Sequence, residues 1–180
     1  MPVVLMIILT ILIVCSLIGI VFIVIFNKYQ LIKLKIDEAL NNIDLLLQKK
    51  LDFISKAIPL VKEHSKEDTG ELQKVLLLKT KKLNNFQLDE QLVKAKHDFQ
   101  ELLDIYPVLE KKKSLAKLEF GLEDTEEDLE AAKDYYNDNV KLYNKLVACF
   151  PSNIVGFIFH YKKKELFANK QEEMFEILKK

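Results

Sequence analysis

The side chains of this chain that could hold a metal or move a proton in a site are its histidines, its two cysteines and one dense run of carboxylates. His64, His97 and His160 stand far apart. None belongs to a His-Glu-x-x-His pattern, which would set two imidazoles on one helical face beside a general base. They read as surface or partly buried histidines. Cys15 lies in an apolar N-terminal run and Cys149 far downstream, so no disulfide framework or zinc site is indicated. The carboxylates are Glu119, Glu123, Asp124, Glu126, Glu127, Asp128 and Glu130. On a helix Glu123 neighbours Glu127 and Glu126 neighbours Glu130. Calcium takes about six to eight oxygens from a flexible loop, more than a helix face presents. The favoured reading is a solvated face opposite lysines of another helix. There is no glycine-rich phosphate loop and no Gly-x-Ser-x-Gly elbow. The spacing therefore gives no catalytic residue, no cofactor and no metal, and the chain is not expected to be an enzyme.

Tyr136-Asn137 and Tyr143-Asn144 repeat one heptad apart. A buried tyrosine needs a partner for its hydroxyl, and the neighbouring asparagine could supply it while fixing helix register. The expected role is structural.

Composition agrees with a helical, non-catalytic chain. The 27 basic and 27 acidic residues cancel, so no net field draws in nucleic acid. All the basic side chains are lysine, which leaves no guanidinium for a rigid bidentate clamp. Glycine and proline are scarce at 4 each, as suits long amphipathic helices.

From Val3 to Phe26 the chain carries no charged side chain. About 20 helical residues cross a hydrocarbon core roughly 30 Å thick, so residues 3–26 suffice for a transmembrane anchor. A cleaved signal peptide would have a basic start and small residues at its cleavage site, and neither is present. Lys28, Lys33 and Lys35 flank the far end, which predicts an external N-terminus and a cytoplasmic domain at the cell membrane. The same three lysines are candidates for contact with lipid headgroups. Cys15 and Gly19 form a small-xxx-small pair that permits homo-oligomerisation, although lipid contact is the expected role.

Residues 28–180 read as a helical domain. In the first leg Leu40, Ile43, Leu47, Leu51, Ile54, Ile58 and Val61 recur at three- and four-residue spacing, one stripe of a helix. Pro59 should distort this helix without ending it. His64 to Gly70 forms a polar turn. A second leg runs from about Glu71 to Ile105, with a break or new N-cap near Asn84, Asn85 and Asp89, and Pro107 ends it. The third leg carries a seam from Leu115 through Leu122, Leu129, Tyr136, Val140 and Tyr143 to Phe150, stopped by Pro151. The predicted fold class is all-α: an N-terminal transmembrane helix, then an antiparallel up-down bundle of three long helices, then a short C-terminal helix over Glu165 to Leu178. With three legs, Phe150 and its successors should lie at the membrane-distal end. Residues 151–180 form a capping or interaction tail. Within it Ile154, Phe157, Ile158 and Phe159 either cap the core, the favoured reading, or bind a protein partner.

The order of Asn42-Ile43-Asp44, Lys49-Lys50, Tyr106-Pro107, Leu122, Thr125-Glu126, Tyr136-Asn137, Val140, Tyr143-Asn144 and Phe150-Pro151-Ser152-Asn153 resembles the LemA family. With the anchor, the likeness covers nearly the whole chain. It departs at Leu40, where the family usually has tryptophan. The resemblance implies a bacterial single-pass protein with a helical cytoplasmic domain, and it supplies no catalytic residues. The functional expectation is a membrane-anchored scaffold or adaptor for an unidentified protein partner. The alternative is an envelope or membrane-organising protein acting through lipid contact.

Overall fold

The computed structural model describes residues 2–62, 75–78, 81, 83–105 and 113–168. The turn expected at His64–Gly70, the boundary at Pro107 and most of the C-terminal helix expected over Glu165 to Leu178 lie outside the described residues. The described residues are helical apart from short turns and the irregular segment 161–168. The chain is all-α as predicted, but residues 165–168, the start of the expected C-terminal helix, are not helical.

Helix α1 spans Pro2–Lys62 and continues past Pro59 for one more turn. Its N-terminal part is long and apolar enough to cross a membrane, with a mean hydropathy of 3.3 and none of that stretch buried. The two hydroxyls inside it turn back on their own helix. Thr10 donates to the Met6 carbonyl and Ser16 to the Leu12 carbonyl, each at 2.8 Å, which hides polar groups that lipid could not satisfy. Helices α2, Asn85–Ile105, α3, Lys113–Ala148, and α4, Ser152–Ile158, come next.

The chain divides into two compact units, one of Met1–Glu38 with Tyr136–Leu166 and the other of Ala39–Tyr135 with Phe167–Lys180. In the second unit α1 buries Ile43, Leu47, Leu51, Ile54 and Ile58. Leu92, Ala95, Phe99 and Leu103 of α2 and Leu115, Leu122, Thr125 and Leu129 of α3 complete the core. A β-carbon on Gly121 would sit 2.7 Å from the Phe53 ring, so the missing side chain lets α3 approach α1 closely there.

The second leg behaves differently from the three-leg expectation. Asn84 is an N-cap: its Oδ1 accepts from the Gln87 amide at 2.9 Å, while the Gln87 Oε1 accepts from the Asn84 amide at 3.3 Å. This reciprocal capping box starts α2 afresh. The Asn85 side-chain amide donates to the Leu40 carbonyl at 3.1 Å, so α2 begins beside Leu40 although α1 ended at Lys62. The chain has come back along α1 by roughly 33 Å at 1.5 Å per residue before α2 starts. The break is thus a full reversal. Helix α2 runs parallel to α1, and α3, paired through Lys133 with Asp89 and through Glu126 with Lys96, runs antiparallel to both.

The third leg also ends elsewhere than expected. In the first unit Tyr143 of α3 packs edge-on against Tyr29 of α1, with ring centroids 5.7 Å apart. Phe159 then lies against Phe22 and Phe26, with centroids at 6.2 and 4.9 Å. The expectation that Phe150 and its successors are membrane-distal is therefore corrected: they lie beside the end of the apolar run. Phe150, the last residue assigned to the seam, is 80% exposed, because α3 stops at Ala148 and no longer carries it on the packed face. The bond between Phe150 and Pro151 is cis.

Candidate functional site

Two clusters stand out, one in each unit. The first is built where α1 leaves its apolar run. Tyr29 is fully buried, so the α1 packing stripe begins just past Phe26 and continues through Ile32 and Ile36. The Tyr29 hydroxyl donates to the Ser152 carbonyl at 3.2 Å, and its ring lies 4.9 Å from that of Tyr161. Burial, then the neighbouring phenols of Tyr143 and Tyr161, push the Tyr29 pKa above its ordinary value, so the hydroxyl stays a donor. Gly156 lies under this hydroxyl, which would be 2.8 Å from a β-carbon there, so α4 can seat against Tyr29 only with glycine at that position. Ser152 Oγ is 2.8 Å from the carbonyls of both Leu146 and Cys149 at the end of α3, and the Cys149 carbonyl also accepts from the Asn153 amide at 2.9 Å.

These contacts fix which face of α4 is turned inward. Ser152, Val155 and Gly156 are buried. Ile154, Phe157 and Ile158 are 50%, 84% and 51% exposed, and Phe159, lying on α1, is 41% exposed. The favoured capping role is therefore corrected. A helix of two turns cannot bury all sides, and the side that meets Tyr29 is the small one.

Lys28 is exposed, whereas Lys33 and Lys35 are half-buried. The Lys33 ammonium stands 5.1 Å over the Tyr161 ring, a cation–π arrangement that ties it to the aromatic cluster.

Downstream of α4, residues 161–168 are held along α3 by backbone contacts. The Asn144 side chain donates to the Lys164 carbonyl at 2.9 Å and accepts from the Lys164 amide at 2.8 Å. The Tyr136 hydroxyl donates to the Glu165 carbonyl at 3.1 Å. Tyr136 and Tyr143 are buried core tyrosines, and the Tyr136 hydroxyl and the Asn144 side chain both clamp the backbone of this one strap. Asn144→Ala is expected to cost about 2 kcal/mol by leaving a Lys164 backbone donor and acceptor without partners. Amide exchange at Lys164 should speed up many-fold, and unchanged protection there would refute the clamp.

The second cluster is a set of buried charges. Lys50 is 4% exposed and its ammonium lies 2.8 Å from Glu126, whose other oxygen meets Lys96. Burial pushes the Glu126 pKa up, but the two ammonium groups outweigh it and hold the carboxyl below its ordinary value. Lys133 and Asp89 form a second buried pair at 2.6 Å. Of the acidic run, Glu123, Asp124, Glu127 and Asp128 are exposed as expected, while Glu126 is turned inward. Sequence reading missed Lys50. Its signal was present, since it falls on the buried stripe between Leu47 and Ile54. Among the described residues no group of three or more histidine, cysteine or acidic side chains is placed to hold a metal ion.

Beside Tyr135 lies an open groove of ≈ 430 Å³ whose walls include Ala39, Asn42, Ala131 and Ala132. Comparison with known proteins adds one finding. No curated protein matches the chain. The model of the LemA family matches residues 39–177, most of the sequence, and with an apolar N-terminal helix and an all-helical domain behind it the chain belongs to the LemA family.

Proposed function

We propose that this protein is a membrane-anchored helical scaffold, with its N-terminus outside the cell membrane and its helical domain in the cytoplasm, that presents helix faces to a protein partner. The observation that carries this reading is that the anchor helix is itself part of a folded core. Tyr29, Ile32 and Ile36 are buried immediately after the apolar run, so no flexible tether intervenes. Such a build holds a domain at the bilayer surface. The groove beside Tyr135, with alanines along its walls and an exposed aromatic at its edge, suits a partner's helix laid along it. Lys28, exposed at the end of the apolar run, supports the orientation, because lysines gather on the cytoplasmic side. The membrane-organising alternative draws support from the exposed apolar side chains of α4 beside the anchor.

Both halves of the reading can be tested in the full-length chain in cells. With Cys15 and Cys149 changed to serine, Asp124→Cys is expected to react with a membrane-impermeant maleimide only after permeabilisation. Labelling in intact cells would overturn the orientation. A photo-reactive residue in place of Tyr135 should give a discrete protein adduct that Ala131→Arg, filling the groove, abolishes. Crosslinks to lipid alone would argue for the membrane-organising role.

A further inference from the structure

We propose that α4 and the turns on either side of it form a second membrane contact, seated in the interfacial layer of the leaflet from which α1 emerges. Phe150, Ile154, Phe157 and Ile158 would lie among the acyl chains there. The inference rests on reading residues 3–26 as the membrane anchor and goes beyond it.

Depth carries the case. The run from Val3 to Phe26 is about 36 Å long as a helix, against a hydrocarbon core of roughly 30 Å. Its last turn therefore lies at the edge of the core, and Phe22 and Phe26 are in that turn. Phe159 is in ring contact with both, at 6.2 and 4.9 Å. A side chain that touches residues at the edge of the core must itself be at that depth.

The neighbouring residues have the chemistry of an interface. The face of α4 turned away from the protein carries Ile154, Phe157 and Ile158, and Phe150 stands 80% exposed on the preceding turn. Alone in water this would be an apolar patch without a partner. Beside a transmembrane helix it is continuous with the helix's own lipid-facing surface. Tyr29, Tyr143 and Tyr161 cluster just beyond it, where the phenol's mixed character is favoured. Lys28, Lys162 and Lys163 are exposed around them and suit anionic headgroups. The two sides of this small element therefore divide by solvent: small residues face Tyr29, and large apolar ones face the lipid.

The absence of tryptophan from the chain makes the test clean. Phe157→Trp, at a position 84% exposed, places a single fluorophore on the patch without disturbing a packed site. The full-length variant is reconstituted into vesicles of phosphatidylcholine and phosphatidylglycerol, with and without bromine on the acyl chains. The expected result is blue-shifted emission, quenched several-fold more strongly by brominated lipid than by aqueous iodide. Phe120→Trp, at an exposed position of the other unit, should show the reverse and excludes general adsorption. Red-shifted emission open to iodide would overturn the proposal. So would blue-shifted emission insensitive to brominated lipid, since the patch would then be covered by protein. Ile11→Trp separates the two levels of the argument. Loss of lipid quenching at Phe157 alone removes the second contact, and loss at both positions removes the anchor as well.

Discussion

Glu126→Gln is expected to destabilise the full-length protein by about 3 kcal/mol, because it leaves the Lys50 ammonium buried without a counter-charge. The carboxylate holds two lysines at once, Lys50 from α1 and Lys96 from α2, and glutamine can neutralise neither. For a chain of this size the loss corresponds to a fall of roughly 6–12 °C in Tm, readable from helical ellipticity in lipid nanodiscs. The penalty is mainly that of an orphaned charge, so adding Lys50→Met should recover much of it. A single mutant within 1 °C of the parent would mean that water already screens the cluster.

Acid should expose the same residue. The lysines hold the folded Glu126 carboxyl below its unfolded value, so the folded state binds fewer protons across that interval. Its contribution is complete above the unfolded pKa of about 4.3 and disappears as pH falls through the folded one. The parent should therefore lose midpoint faster than Glu126→Gln on acidification below about pH 4, and the two curves should converge.

Tyr29→Ala should produce the other large effect, a loss of about 3–5 kcal/mol confined to the unit that contains it. Tyr29 is the point on which α4 and the strap converge. Its ring meets Tyr143 and Tyr161, and its hydroxyl holds the Ser152 carbonyl. Removing the ring opens a cavity beneath Gly156 and releases residues 149–166. Amide exchange in that segment should rise steeply while protection of Leu92 to Leu103 stays as before. Tyr29→Phe keeps the packing and loses only the hydrogen bond, about 1 kcal/mol. Equal exchange changes across both units would refute a local role. High pH offers a further check: with Tyr29 and Tyr143 raised, their contribution persists up to the unfolded value near 10 and is lost as pH climbs through the folded one.

Much of this protein could be read from the order of its residues. An uncharged run such as Val3–Phe26 has one stable form in lipid, a helix, whatever the rest of the chain does. Three- and four-residue spacing picked out the buried faces of α1 and α3, because a helix with one apolar stripe must bury that stripe. The family was legible for a related reason, since its signature consists largely of these core and turn residues in fixed order. Asn84 and Asn85 followed by Asp89 also gave notice of a break or a new helix start, which Asn84 caps.

Direction was decided only by tertiary structure. Periodicity describes faces, and a face reads the same whichever way its helix runs. Whether the chain near Asn85 bends or reverses depends on the contact between Asn85 and Leu40, 45 positions apart. Likewise the ring contacts of Phe159 with Phe22 and Phe26, more than 130 positions away, place the apolar segment Ile154–Phe159 beside the anchor and not at the far end of the domain. The buried charges obeyed the same rule. Asp89 and Lys133 look like ordinary surface residues until helices from distant parts of the chain meet and exclude water from between them. Local sequence determined which elements form and which sides they bury. Long-range packing, which no short pattern encodes, decided what those sides meet.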